Sequence, residues 1–138
     1  HGFGPIGPYN GFTKNQIEKN TSLITRVQKV ESQQELPKCF VGICPEYFSM
    51  DVDGDTLAES VVIIHTAMTQ GAGKVWVIKG NEVIFDSGEK MRIGIYQNKE
   101  QIEAGNGFIL QYSTEINLPS RTEVEYSYAD GQFRIDKN

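Results

Sequence analysis

Four carboxylates fall within one short run of this chain: Asp51, Asp53, Asp55 and Glu59 stand at positions 1, 3, 5 and 9 of DVDGDTLAE. Crowded together, such groups repel one another, which raises their pKa values and disfavours a closed loop. A hard divalent cation reverses the argument, because calcium takes about six to eight oxygen ligands. Alternate residues of a tight turn can aim their side chains at one point. Leu57, at position 7, would lend its backbone carbonyl, and Glu59 is long enough to bind through both oxygens. With the three aspartates this makes about six ligands. A metal-free turn needs one Asp or Asn rather than four spaced acids. The run therefore predicts a structural calcium site formed by Asp51, Asp53, Asp55, Leu57 and Glu59.

The spacing is not that of an EF-hand. Position 6 is Thr56 where that loop has glycine, and position 12 is Val62, which cannot be the bidentate acid. The residues that follow, Val61-Val62-Ile63-Ile64, are a β-branched run and read as a strand, not a helix. A strand–loop–strand with acids at these positions resembles the calcium loop of FG-GAP (integrin α-type) repeats and of related secreted bacterial domains, whose pattern is D-x-[DN]-x-D-G-x-x-[DE]. The resemblance covers residues 47–66. Gly54 stands at position 4 here, and Thr56 replaces the family's glycine at position 6. It implies a bound calcium and a secreted or periplasmic setting. Those repeats come as blades of a propeller, which 138 residues with one loop and no internal repeat cannot build.

Other residues offer weaker chemistry. Cys39 and Cys44 enclose a short ring with Gly42 at the turn, which suits a local disulfide. They lack the companion pair of a zinc site. A free N-terminal His1 could hold copper with His65 as its partner, or be the leftover of a tag or cleavage site. Thr69-Gln70-Gly71-Ala72-Gly73-Lys74 lacks the first glycine and the Ser/Thr of a phosphate loop, and a strand follows it. Asp86-Ser87-Gly88-Glu89-Lys90-Met91 is similar to the S-G-x-x-Y loop of periplasmic lysozyme inhibitors, with Met91 in place of the tyrosine. No serine stands in a nucleophile-elbow context. The formal charge of −5 speaks against nucleic acid and anionic membranes as partners. No apolar run approaches the length of a membrane span.

The elements that would position these residues are mostly strands. They are expected at Tyr47–Met50, Ser60–Thr66, Lys74–Lys79, Glu82–Asp86, Met91–Tyr96, Gly107–Ser113, Glu123–Tyr128 and Gln132–Asp136, with Gly80-Asn81 and Asp130-Gly131 as hairpin turns. A capping box at Thr13–Gln16 and an apolar stripe through Ile17, Ile24, Val27 and Val30 predict a helix over 14–32. Residues 1–12 read as a flexible segment and 13–138 as one domain. The fold class is α+β, mostly β: an N-terminal helix packed on a twisted antiparallel sheet or small sandwich that carries one calcium loop. Gly71–Gly73 and the polar stretch Gln97–Asn106 read as structureless, partner-facing loops. The functional expectation is an exported, monomeric calcium-binding domain with a protein or glycan partner and no catalytic role. The alternatives are an inhibitor or immunity-type protein acting on a cell-wall hydrolase, and a copper-binding protein using His1.

Overall fold

Alternation of apolar residues along short strands builds two antiparallel sheets. The computed structural model describes residues 42–67, 71–115 and 121–137. Strands β1 (Glu46–Met50), β2 (Glu59–His65), β3 (Gly73–Lys79) and β4 (Glu82–Asp86) form the first sheet in chain order. Strands β5 (Met91–Tyr96), β6 (Phe108–Ser113), β7 (Thr122–Ala129) and β8 (Gln132–Lys137) form the second, also in chain order. All eight expected strands are present, with ends shifted by at most a residue. The predicted helix over 14–32, together with His1 and Cys39, lies outside the described residues.

The sheets face each other across a shared core. Val61, Ile63, Val75 and Val77 point inward from the first sheet and meet Phe108 and Leu110 from the second. Phe85 of β4 lies edge-on to Phe108 and Tyr126, each at 5.0 Å between ring centroids, and Phe133 joins them from β8. Edge-to-face geometry of this kind adds to the burial of the rings themselves. The opposite face of the first sheet carries Val62, Ile64, Trp76 and Ile78, which are also buried. This explains why β2 reads as a continuous β-branched run rather than an alternating one.

Each end of the sandwich has its own seam. At one end, Gly73 and Lys90 exchange both backbone hydrogen bonds, at 3.0 and 2.8 Å. At the other, Asp53 and Asn106 form a second isolated bridge. The first seam corrects the expectation for the glycine-rich segment. Ala72 and Gly73 are buried and their backbone groups are used within the fold, Ala72 O by Thr66 N and Gly73 by Lys90. A Cβ at Gly73 would stand 2.7 Å from the Ile64 carbonyl, so the glycine serves a close crossing of strands. The segment also lies at the far end of β2 from the acidic loop.

The stretch Gln97–Asn106 is likewise not structureless. It contains a short helix, α1 (Lys99–Ala104). Asn98 caps it by accepting from Gln101 N, and the Gln101 side chain answers by accepting from Asn98 N. Gly105 ends it in the left-handed region, at φ 64°. The helix was missed because six residues show no apolar periodicity. Its cap signals, Asn98, Gln101 and Gly105, were in the sequence.

The ring cluster is what the two sheets share, so it should dominate stability. Phe108→Ala is expected to lower the unfolding free energy by about 3–5 kcal/mol in denaturant titration. A loss under about 1 kcal/mol would show that these rings do not hold the sheets together.

Candidate metal centre

The acidic run occupies the β1–β2 connection, at the end of the sandwich core. Val52 turns into that core and is fully buried, while Asp51 and Asp53 on either side turn out of it. Glu59 opens β2 in phase with the core residues Val61 and Ile63, and is only 2% exposed. Asp51, Asp53, Asp55 and Glu59 each present a carboxylate oxygen within 4.8 Å of the others. The sequence thus identified four side chains that the fold brings to one point.

The loop is shaped by hydrogen bonds from its own backbone. Thr56 N donates to Asp51 Oδ2 at 3.0 Å, Asp55 N to Asp53 Oδ1 at 3.2 Å, and Leu57 N to Asp55 Oδ1 at 2.9 Å. Val52 N donates to Glu59 Oε1 at 2.8 Å, closing the loop across its base. Thr56 takes the left-handed conformation, φ 68°, that the missing glycine would have supplied. For a β-branched residue this is a strained conformation. Leu57 is largely exposed at the tip.

The second sheet holds the loop from the other side. Gly54 N donates to Gly105 O at 2.8 Å, and Gly107 N to Val52 O at 2.9 Å. The Gln97 amide reaches both Asp51 O and Gly107 O, each at 2.9 Å. Asn106 anchors this clamp to β7 through both backbone groups of Tyr128. A Cβ at Gly105 would come within 2.7 Å of Asp51 Oδ2, so the residue that ends α1 is glycine for the loop's sake as well as the helix's.

Charge in the site is unbalanced. Burial pushes the Glu59 carboxyl up to about 7, and the neighbouring charges of Asp53, Asp55 and Asp51 add to this against the pull of the Val52 amide. Asp51 Oδ1 is buried with no hydrogen-bond donor. The compensating group is Lys79, the last residue of β3, whose Nζ lies 2.5 Å from Asp53 Oδ2 and 2.9 Å from Asp55 Oδ2. Its hydrogen bond, with that of Leu57 N, holds the Asp55 carboxyl down at about 2. The same contacts, Asp53 first and then Asp55, raise the Lys79 pKa. Lys79 was not singled out from sequence, although a signal existed: it shares strand phase with the core residues Val75 and Val77, an odd place for a lysine unless it meets charge there.

An all-oxygen donor set with a buried oxygen lacking any donor fits a hard divalent cation. It does not suit zinc, which takes nitrogen and sulfur in structural sites. The other candidates fall elsewhere. His65 Nε2 pairs with Glu46 Oε2 at 3.3 Å. Ser87 Oγ accepts from Val75 N and donates to Gly88 O, closing the β4 end of the first sheet. Lys74 lies in β3 over the Trp76 ring, not at a helix N-terminus. Cys44 is not a free thiol. No helix among the described residues is long and apolar enough to cross a membrane. Comparison with known protein families, with curated proteins and with solved structures gives no match for this chain.

Glu59 gives the metal-free protein a defined pH dependence. Its folded pKa of about 7 lies above the ordinary 4.5, so between those values the folded chain keeps a proton that the unfolded chain releases. That stability is fully present below pH 4.5 and lost as pH rises through 7. In chelator, Glu59→Gln should remove this fall and gain about 2–3 kcal/mol over wild type at pH 8. Parallel wild-type and variant pH–stability curves would show that Glu59 is not held in this environment.

Proposed function

We propose that this chain is a calcium-binding β-sandwich domain, exported from the cytoplasm, in which the metal is structural and the role is binding rather than catalysis. The observation that carries the reading is Asp51 Oδ1, buried without a donor among four converging carboxylates. Such an oxygen is costly to bury unless a hydrogen-bond donor or a cation faces it. The ligands in this reading are Asp51, Asp53, Asp55 and Glu59 with the Leu57 carbonyl. Calcium is favoured over magnesium because magnesium demands near-octahedral geometry and keeps several waters, whereas this site is built from protein oxygens in an irregular loop. The order of acids between two strands resembles the FG-GAP calcium loop and supports the same ion.

The metal would stiffen the β1–β2 loop, whose backbone the second sheet clamps at that end. Leu57 and Ile102 are exposed on the two segments that meet there, 70% and 63% respectively. In this reading a protein or glycan partner meets that end, not the Gly71–Gly73 segment. Extracellular calcium near millimolar suits loops of this class, and an oxidising compartment suits a Cys39–Cys44 disulfide.

Calcium is expected to bind with a dissociation constant of about 0.1–1 mM. At ten times that concentration it should stabilise the fold by about 1.4 kcal/mol. Thermal unfolding with excess chelator and with 10 mM calcium measures this, and Asp53→Ala should abolish the difference. Superimposable wild-type curves would sink the proposal.

The Cys39–Cys44 bond is expected in native material. Intact-mass analysis after alkylation without reductant should show no added label, and two labelled thiols would rule the bond out.

A further inference from the structure

We propose that Lys79 is a tethered cation of this site, which offsets part of the charge of the metal-free loop and has to release Asp53 and Asp55 when a divalent ion enters, so that it tunes the site's affinity. The inference rests on the reading of the loop as a cation site. It begins from register. Ser60 pairs with Ile78, so the next position along, Lys79, stands beside Glu59, where β2 leaves the loop. Strand phase turns Lys79 to the same side as Val75 and Val77, toward the carboxylates. Its ammonium then sits at 2.5 and 2.9 Å from one oxygen each of Asp53 and Asp55, two of the four groups that converge.

An ammonium at these distances uses lone pairs that a metal ion would take. It also places a positive charge a few ångströms from the ion's position, where the two cations repel. Release is easy to accommodate. The Lys79 side chain is 46% exposed, and a cavity of about 120 Å³ bounded by Asp55, Leu57, Ala58, Glu59, Lys79 and Gly80 opens beside it. The stem can therefore swing to water without disturbing Val77 or Ile78. Two effects follow from one contact. Without metal, Lys79 relieves the repulsion that would open the loop. With metal, the same contact must be given up, and the affinity falls accordingly. Coupling of this kind is reciprocal: whatever Lys79 takes from calcium binding, calcium takes from the Lys79 contact.

The test is calorimetric titration of calcium into the chelator-stripped full chain, as wild type, Lys79→Met and Lys79→Gln. Both variants should bind about tenfold more tightly, the scale of one unit charge removed from beside a partly exposed ion. In chelator both should melt below wild type, and in 10 mM calcium that gap should close or reverse. Unchanged or weaker binding overturns the inference while leaving the cation site standing. A melting deficit equal in chelator and calcium also overturns it, since that is what a merely structural lysine would give. Absence of calcium binding in all three chains overturns the reading of the site, and this inference with it. In wild type, the side-chain ammonium resonance of Lys79 provides a measurement free of substitution: it should shift to its solvent-exposed value as calcium saturates, and persistence of the metal-free signal counts against release.

Discussion

Four like charges gathered at the rim of an apolar core are the constraint around which this domain is arranged. Repulsion among Asp51, Asp53, Asp55 and Glu59 would open the β1–β2 connection, and the burial of Glu59 makes the conflict sharper. Everything near the loop answers that problem. Backbone amides of Val52, Thr56 and Leu57 donate to the carboxylates, Lys79 brings a positive charge, and the α1–β6 turn closes over the top. Even so one oxygen, on Asp51, is left without a donor. The sandwich supplies most of the compensation a site of this charge needs and leaves a remainder of the right sign for a cation.

The arrangement joins two halves that are otherwise self-contained. Each sheet is a meander of four consecutive strands, and the two meet through core side chains and the end seams. The acidic loop belongs to the first half. Gln97, Gly105 and Gly107, which hold it, belong to the second. The carboxylates all lie on one hairpin, and the second half meets that loop through its backbone, so the order of the loop and the docking of the halves are linked.

The strands and the acidic loop were legible in the sequence because their signals are local. Two-residue alternation, the Gly80-Asn81 and Asp130-Gly131 turns, and the spacing of the aspartates each depend on a few neighbouring residues. What stayed hidden depends on contacts between distant segments. Nothing local to Gly105 says that it lies against Asp51, and nothing local to Lys79 says that it meets Asp53. The same limit explains the misreading of Gly71–Gly73. Glycines that permit close strand crossing look, in sequence, like glycines that loosen a loop. At Thr56 the sequence suggested a departure from the resembling loop, yet the backbone adopts the left-handed turn regardless. In that conformation the Thr56 amide donates to Asp51 Oδ2.

The connectivity of the clamp has a kinetic consequence. Strand pairing within each sheet joins near neighbours in the chain, so most of the hairpin pairings close short loops. The bond from Gly54 to Gly105 spans half a hundred residues and can form only once the two meanders have docked. Where such contacts form after the folding transition state, whatever strengthens them slows unfolding more than it changes the folding rate. An ion that stiffens the clamped loop would thus act as a latch on the native state's lifetime more than as a guide to reaching it.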